Sequence, residues 1–158
     1  MNDRRTFLGL AGATAIGVYV LGRPASAGAR FPLERTPAQW RQALGPERYA
    51  ILREGGTERA FTSPLLNEHR KGQFVCAGCA LPLFSSTTKF ESGTGWPSFW
   101  RALPGSVVTR TDRSLGIART EVLCARCGGH LGHVFDDGPR PTGLRYCMNG
   151  LALRFRPA

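Results

Sequence analysis

The sequence predicts a single, mainly β domain with short helices at its N-terminal end. The chain of 158 residues is long enough to bury one hydrophobic core without many covalent cross-links. Its 20 glycines and 11 prolines favour turns and short strands over long helices. Segments with the apolar pattern of short strands begin only beyond about residue 60.

The composition is that of a folded, strongly basic protein. Hydrophobic residues make up 42% of the chain, which is enough for a core and excludes a disordered chain. The formal net charge of +10 is compatible with nucleic acid, a membrane surface or acidic partners. Charge by itself governs solubility and nonspecific binding, so it does not choose among these partners.

Residues 1–27 have the pattern of an export signal. Arg4 and Arg5 directly precede a short apolar stretch, residues 7–21, and the small-residue pattern A-S-A follows at residues 25–27. The Arg-Arg-x-Phe-Leu pattern resembles the twin-arginine class, which exports proteins after they fold. The alternative is an uncleaved membrane anchor, but a span needs about 20 apolar residues and this stretch is shorter. We therefore expect a periplasmic or otherwise exported protein.

Residues 28–60 are predicted to form an N-terminal arm with two short helices. The first helix has Thr36 as its N-cap and Pro37 at its first position. The second helix begins in the same way at Pro46 and ends at Gly55.

Residues 61–158 are predicted to form the β-rich domain. Its strand segments are short, combine β-branched with other apolar residues, and are separated by turn residues. The predicted strands cover residues 73–75, 106–110, 116–123 and 151–155.

Four of the five cysteines form two C-x-x-C pairs, C-A-G-C at 76–79 and C-A-R-C at 124–127. Each pair follows a predicted strand and has glycine within or after it, which suits a tight turn that presents two sulfurs. Two such turns predict one structural, tetrahedral zinc ion. Disulfides, favoured by an oxidising compartment, are the alternative, and a redox-active pair is disfavoured because neither pair opens a helix. The predicted zinc ligands are Cys76, Cys79, Cys124 and Cys127.

The fifth cysteine, Cys147, has no C-x-x-C partner and lies in the stretch R-Y-C-M-N-G. On a strand, Arg145, Cys147 and Asn149 would share one face. The arginine charge would stabilise a thiolate there, and the asparagine amide could donate to an oxygen-bearing ligand. A lone cysteine is more often a small buried hydrophobic residue, and the spacing alone does not decide between these alternatives.

Two further stretches supply candidate partners for this thiol. The stretch G-H-L-G-H brings His130 and His133 just after the second cysteine pair, and histidine is the usual proton donor near neutral pH. Both histidines could instead bind zinc, although four cysteines already complete a tetrahedral shell. Trp96, in the loop G-T-G-W-P, could pack on a methyl or thioether group of a ligand or simply fill the core.

The chain as a whole resembles the methionine-R-sulfoxide reductases, the MsrB family. The resemblance runs from about residue 40 to residue 155 and rests on four motifs in the family's order. These are C-A-G-C, K-F-E-S-G-T-G-W-P-S-F, C-A-R-C-G-G-H-L-G-H-V-F-D-D-G-P and T-G-L-R-Y-C-M-N. The resemblance implies two antiparallel β-sheets with short N-terminal helices and a structural zinc ion on the two cysteine pairs. It also implies reduction of the R epimer of methionine sulfoxide, free or within proteins.

The resemblance further implies a nucleophile, an acid and a wall for the substrate. Cys147 matches the nucleophile, whose thiolate attacks the sulfoxide sulfur and becomes a sulfenic acid. His130 and His133 match the family's two histidines, of which His133 is favoured as the acid. Trp96 matches the tryptophan that packs on the ε-methyl group of the substrate. Four residues are implied to support the cysteine or to line and brace the pocket: Arg145, Asn149, Phe135 and Asp137.

The sequence departs from the family's pattern in two places. Thr94 stands where many members carry a resolving cysteine, and threonine cannot form a disulfide with Cys147. We therefore expect a single-cysteine cycle in which an external thiol or a thioredoxin-like partner reduces the sulfenic acid. Gly150 and Leu151 stand where the family often has Ser-Ala, which predicts a local change in packing.

Two other functional classes compete with an enzyme. The cysteine pairs and the basic charge are compatible with a nucleic-acid-binding module, but lysines and arginines are scattered along the chain instead of forming one stripe. An export signal would also separate the protein from cytoplasmic nucleic acid. A family member that only binds oxidised proteins would not need Cys147, His133 and Trp96 intact. We therefore expect a monomeric enzyme that binds no nucleic acid.

Overall fold

The structure is a computed structural model and describes residues 31–114 and 116–158. The predicted export signal, residues 1–27, lies outside the described residues. Within them, no helix has the length and apolar character needed to cross a membrane. The helix and strands are α1 (Pro37–Glu54), β1 (Gly72–Cys76), β2 (Pro82–Ser85), β3 (Lys89–Phe90), β4 (Ser98–Phe99), β5 (Val107–Asp112), β6 (Arg119–Cys124), β7 (His130–Phe135), β8 (Arg145–Met148) and β9 (Leu153–Pro157). Short 3-10 helices cover Pro64–Asn67, Ser86–Thr88 and Gly150–Ala152.

The helix α1 spans both predicted N-terminal helices. Thr36 caps it by accepting a hydrogen bond from the backbone of Gln39, whose side chain accepts one in return from the Thr36 backbone. Gly45 interrupts the helix with φ 71° and ψ 172°, and the next residue, Pro46, starts the second half. Gly55 ends the helix in the left-handed conformation. The break thus lies where the sequence separates the two predicted helices.

The strands form two antiparallel sheets, which confirms the predicted fold class. One sheet has three strands in the order β2-β1-β9, and the other has six in the order β3-β4-β8-β7-β6-β5. Two strands begin later in the structure than the sequence predicts. The strand predicted from residue 116 begins at Arg119, because Gly116 adopts φ 77° in the preceding turn. The strand predicted from residue 151 begins at Leu153, because a 3-10 helix occupies the residues before it.

The core lies between the two sheets and also receives α1. Phe84 of the small sheet stacks on Phe99 of the large sheet with ring centroids 4.4 Å apart, and Phe74 meets Phe99 edge-on at 4.8 Å. Trp40 and Leu52 of α1 are buried in the same cluster. Burial of such large aromatic and aliphatic side chains stabilises the contact between the helix and the sheets. The division into an arm, 28–60, and a domain, 61–158, stays a prediction.

Four residues form a row across the six-stranded sheet. The register pairs Glu121 with His133, His133 with Cys147, and Cys147 with Ser98. Residues directly opposite each other on antiparallel strands project from the same face of a sheet. The cysteine without a C-x-x-C partner therefore lies on a central strand between a histidine and a serine.

Candidate active site

A cavity of about 120 Å³ opens beside Cys147 on this face of the sheet. The structure brings five of the predicted site residues together around it, whereas His130, Arg145 and Asp137 do not line it. The cavity is small and partly apolar, as a pocket for one side chain would be. Its lining consists of Thr57, Trp96, Arg119, Gly132, His133, Phe135, Cys147 and Asn149.

The thiol of Cys147 contacts a chain of hydroxyl groups. Thr94 Oγ1 lies 3.7 Å from Cys147 Sγ, within the range of a weak hydrogen bond to sulfur. The Thr94 hydroxyl is bonded to Ser92 at 2.8 Å, and Ser92 is bonded to Ser98 at 2.7 Å. The Thr94 hydroxyl thus lies beside the Cys147 thiol, at the position where many members of the family carry the resolving cysteine.

Gly132 allows β7 to approach β8 closely at the cavity. Its backbone has φ 154°, and a Cβ atom there would lie 2.2 Å from the carbonyl oxygen of Cys147. Any other residue would force the two strands apart beside the reactive sulfur. Gly132, the third glycine of G-G-H-L-G-H, therefore sets the distance between the strand of His133 and the strand of Cys147.

A carboxylate orients His133. The Nε2 atom of His133 lies 2.8 Å from Asp112 Oδ2, and the same oxygen accepts a hydrogen bond from Arg119 Nη2 at 2.6 Å. Hydrogen bonds from Ser114 and from His133 hold the pKa of the Asp112 carboxyl well below its usual range. Asp112 is therefore ionised, and the Nε2 atom of His133 is the donor in this pair.

The second histidine has a separate carboxylate partner. His130 is buried, and its Nδ1 atom lies 2.6 Å from Glu121 Oε1. Burial lowers the pKa of His130, and the neighbouring carboxylate offsets this only in part. Burial also disfavours the charged form of Glu121, but hydrogen bonds from Arg110 and His130 outweigh it and lower the pKa of that carboxyl. His130 is thus a neutral, buried group outside the lining of the cavity, with its ring centroid 5.5 Å from that of His133.

Arg145 braces one wall of the cavity. Its guanidinium donates two hydrogen bonds of 2.8 Å to the carboxylate of Asp137 and lies 4.4 Å from the ring centroid of Phe135. The hydrogen bond from Arg145 lowers the pKa of Asp137. Arg145 and Cys147 share one face of β8, as the sequence predicts. The guanidinium group of Arg145, however, binds Asp137.

Glu58 connects Asn149 with Trp96. The backbone N–H of Glu58 donates to Asn149 Oδ1 at 2.9 Å, and its carbonyl accepts from Trp96 Nε1 at 3.1 Å. Its buried carboxylate accepts from the backbone N–H groups of Gly150 and Leu151, the latter at 2.9 Å. Asn149 Nδ2 in turn donates to a backbone carbonyl of β7 at 3.2 Å. One residue of the segment after α1 thus fixes two walls of the cavity.

The departure at Gly150 has a packing reason. A Cβ atom on Gly150 would lie 1.8 Å from the hydroxyl oxygen of Ser63 and 3.1 Å from Glu58 Oε1. A serine at position 150, which the resemblance offers, would not fit while Ser63 keeps this position. The glycine at position 150 therefore leaves room for the side chain of Ser63.

Replacing Glu58 by glutamine is expected to destabilise the fold. One carboxylate oxygen becomes an NH2 group that faces a backbone N–H, so a buried donor loses its partner. We expect the free energy of unfolding to fall by about 1–3 kcal/mol, which urea denaturation followed by tryptophan fluorescence measures. The matched control is Glu54→Gln, since the Glu54 side chain is 56% exposed. That variant should change stability by less than about 0.5 kcal/mol, and equal losses in both would contradict the role of Glu58.

The sequence did not single out several residues of this site. Asp112 and Glu121 lie on neighbouring strands and orient the histidines. Thr57 and Arg119 complete the lining, and Glu58 holds Trp96 and Asn149 in place. Alternation along each strand shows which residues share a face, but it does not show which residues of β5, β6 and β7 lie opposite each other. That information requires the register between the strands. Nothing in the sequence around Glu58, apart from its position shortly after a predicted helix, indicated that it would contact the site.

The two C-x-x-C pairs meet where β1 and β6 end, one strand from each sheet. Each forms the same tight turn, with a backbone hydrogen bond from Ala80 to Cys76 at 2.8 Å and from Gly128 to Cys124 at 2.9 Å. The four sulfurs lie within 4.8 Å of one another. Facing sulfurs of the two turns are 3.5 and 3.7 Å apart, close to the roughly 3.8 Å edge of a tetrahedron of Zn–S bonds.

The donor set of this cluster also suits a metal ion. The separations between facing sulfurs far exceed a disulfide bond of about 2.05 Å, so the described geometry favours metal binding over the disulfide alternative. Among the described residues, neither histidine belongs to the cluster. Hydrogen bonding to Cys124 raises the pKa of the Cys76 thiol, and burial adds to the shift. A cation is therefore needed to hold all four groups as thiolates.

The molecule puts cysteine to two separate uses on one pair of antiparallel sheets. A closed cluster of four sulfurs ties two turns together, while an isolated thiol faces a cavity beside a histidine. This division defines a thiol-dependent enzyme with a separate cluster of four cysteines that could hold a metal ion. The family model of the SelR domain matches residues 44–157, and the chain belongs to this family.

Curated relatives of the chain carry a common name, peptide methionine sulfoxide reductase MsrB. The protein of that name from Thiobacillus denitrificans is 60% identical over 124 residues, which cover 78% of this chain and 94% of the relative. Those from Leptospira interrogans and Agrobacterium fabrum are 54% and 55% identical, over 80% and 79% of this chain and 97% and 93% of the relatives.

Proposed function

We propose that the protein is a peptide-methionine (R)-S-oxide reductase that returns oxidised methionine to methionine in proteins or peptides. The observation that carries this proposal is the position of Cys147, which faces a cavity between Trp96 and His133. The names of the relatives support the substrate class. Repair of oxidised proteins is the corresponding role.

The reaction follows from the groups around the cavity. Trp96 packs on the ε-methyl group of the substrate, which places the sulfoxide sulfur near Cys147. The Cys147 thiolate attacks this sulfur while His133 donates a proton to the departing oxygen. The oxygen passes to the cysteine, so methionine leaves and Cys147 becomes a sulfenic acid. The sulfoxide has gained two electrons, and the cysteine sulfur has lost two.

His133 is the proton donor and His130 supports the site from behind. His133 lines the cavity, whereas His130 is buried against Glu121. The ionised Asp112 holds the imidazole of His133 in one orientation. Asn149 and Phe135 line the cavity, and Arg145 braces the Phe135 wall through its contact with that ring and its ion pair with Asp137. These positions support the roles that the resemblance implies for the four residues.

Replacing Asp112 by asparagine is expected to reduce kcat by between about 10- and 100-fold. The amide accepts a weaker hydrogen bond and allows other orientations of His133, as in other carboxylate–histidine pairs. KM should change little, because Asp112 does not line the cavity. Steady-state kinetics of this variant are compared with those of Asp136→Asn, which alters an exposed aspartate directly after β7. A purely structural role would lower kcat and raise KM together.

Asp112 also predicts a dependence of stability on pH. Its pKa is lowered in the folded protein, so its contribution is complete above the ordinary aspartate pKa and disappears as the pH falls towards the lower folded value. The stability difference between the unaltered chain and Asp112→Asn should therefore be constant above about pH 5 and shrink at more acidic pH. Urea denaturation at a series of pH values measures it, and a difference that grew with acidity would have the wrong sign.

The catalytic cycle uses a single cysteine. Thr94 stands beside the Cys147 thiol, and the other four cysteines belong to the cluster. An external thiol or a thioredoxin-like protein therefore reduces the sulfenic acid: two thiols become a disulfide, and the oxygen leaves as water. A peptide map of the protein after one equivalent of substrate should contain a Cys147 sulfenic acid trapped by dimedone. A disulfide between Cys147 and another cysteine of the chain would contradict the proposal.

Zinc is the proposed occupant of the cysteine cluster. Four thiolates in two tight turns are the usual ligands of structural zinc, and the separations of their sulfurs suit its bond lengths. The ion would hold the turn after β1 to the turn after β6 and take no part in the reaction. Elemental analysis of the purified protein should find one zinc per chain.

We place the protein in the periplasm or outside the cell, as a monomer that binds no nucleic acid. The pattern of residues 1–27 supports export by the twin-arginine route, and folding before export allows the metal to be loaded in a reducing compartment. Cell fractionation beside an Arg4→Lys, Arg5→Lys double variant tests this. An unchanged distribution of the variant would contradict export by that route.

Activity on a single epimer is the central test of the proposal. Dabsyl-methionine-R-sulfoxide with dithiothreitol as reductant should be converted to dabsyl-methionine, and the S epimer should remain. Failure of a zinc-loaded protein to reduce the R epimer would overturn the proposed function.

A further inference from the structure

Phe61 combines an exposed ring with an unusual backbone. Its side chain is 71% exposed, more than those of Ile117 and Val108, the other exposed large hydrophobic residues among those the structure describes. Its φ of 65° lies in the left-handed region, which is uncommon and costly for an aromatic residue. A conformation of this kind persists only where neighbouring groups hold it.

The groups that hold Phe61 belong to the rim of the cavity. The Phe61 N–H donates to the carbonyl of Gly95 at 2.8 Å. The ring covers Gly95 so closely that a Cβ atom there would lie 2.8 Å from Phe61 Cδ2. Gly95 stands between Thr94, which contacts the Cys147 thiol, and Trp96, which lines the cavity. The exposed ring is therefore one residue away from the wall that receives the substrate.

The chain segment before Phe61 is fixed to the same cavity. Thr57 lines it, and Glu58 binds both Trp96 and Asn149. Segment 57–61 thus runs from the lining of the cavity out to its rim and ends in an aromatic ring that faces solvent. An exposed apolar group next to a functional pocket marks a contact with a further part of the ligand.

The size of the cavity indicates what that further part is. A volume of about 120 Å³ holds one side chain, so the main chain of an oxidised protein must remain outside. The residues beside the oxidised methionine then lie across the rim. We propose that Phe61 is an apolar contact for the polypeptide that flanks the oxidised methionine. This inference rests on the proposed function and names the substrate as an extended chain segment with apolar neighbours.

The position of the ring favours substrate over reductant. Phe61 packs against the loop on the Trp96 side, where the side chain of the substrate is received. A reductant needs access to Cys147 only after the product has left, and it does not need the tryptophan wall. A contact on this side therefore acts while the methionine side chain is bound.

Two substrates and one small reductant test the inference. KM and kcat are measured with dithiothreitol for N-acetyl-methionine-R-sulfoxide and for an unstructured peptide with leucine on both sides of the oxidised methionine. Phe61→Asn removes the ring and keeps the backbone, since asparagine tolerates the left-handed conformation. We expect KM for the peptide to rise about fivefold, the loss of one aromatic contact, and KM for the small substrate to stay unchanged. Phe61→Tyr should behave like the unaltered chain.

Ile117→Asn is the matched control, because Ile117 is 62% exposed in the turn between β5 and β6. An equal rise in KM with this control would show a nonspecific effect of exposed apolar surface and overturn the inference. Equal losses with both substrates would assign Phe61 to the cavity wall instead. In a further assay, a thioredoxin-like protein replaces dithiothreitol as the reductant. A loss seen only in that assay would make Phe61 a reductant contact and overturn the proposal. Turnover of the small substrate by the unaltered chain reports on the proposed function separately.

Discussion

Replacement of Cys147 by serine is expected to abolish turnover of methionine-R-sulfoxide. The serine hydroxyl stays protonated near neutral pH and cannot take up the sulfoxide oxygen as a sulfenic acid. We expect kcat to fall by at least about 10³-fold, since removal of a nucleophile closes the covalent route as a whole. The assay with dithiothreitol and the R epimer measures the loss.

The Cys147→Ser variant should remain folded and keep its metal. Cys147 is only partly buried and contacts one hydroxyl group, so a smaller oxygen in place of sulfur fits without strain. Thermal unfolding and elemental analysis should therefore match those of the unaltered chain. Substantial turnover by this variant would overturn the role of the thiol. If the variant lost its metal as well as its activity, the result would contradict a catalytic role of Cys147 that is separate from the metal cluster.

The same substitution at Cys124 should have the opposite pattern, with a large loss of stability. Cys124 is fully buried at the end of β6, and its sulfur faces Cys79 at 3.5 Å. Loss of one ligand weakens the binding of the proposed zinc ion, and the binding free energy of a structural ion is folding free energy. We expect destabilisation of about 3 kcal/mol or more, a fall in Tm of at least about 10 °C, and less than one zinc per chain.

The two cysteine variants control each other. Both replace one sulfur by oxygen, so a nonspecific effect of the substitution would be the same at positions 124 and 147. A chelator added to the unaltered chain should reproduce the loss of Tm seen with Cys124→Ser, because both remove the ion. An unchanged Tm of the Cys124→Ser variant would contradict a structural role of the cluster.

Features that depend on short spacings could be predicted from the sequence. The two C-x-x-C pairs and the break of α1 at Gly45-Pro46 are determined within a few residues, and each is found where its pattern lies. The placement of Arg145 and Cys147 on one face also follows from alternation along a single strand. Local stereochemistry sets all of these features, so the spacing was sufficient.

Features that depend on pairing between distant strands could not be predicted in this way. Asp112 reaches His133 because β5 and β7 flank β6 in a particular register, which no single segment contains. Glu58 binds Asn149 from a point 91 residues earlier in the chain. The ends of β6 and β9 were also wrong, because a turn and a 3-10 helix compete with strand formation there.

The row from Glu121 through His133 and Cys147 to Ser98 determines when the site can assemble during synthesis of the chain. β8 pairs with β4 on one side and with β7 on the other, so the last long pairing of the large sheet inserts a C-terminal strand between two earlier ones. During synthesis the reactive thiol therefore meets its histidine and its hydroxyl partner only when almost the whole chain is present. Reductase activity then reports the completed sheet, because a fragment that ends before β8 lacks both Cys147 and the strand that carries it.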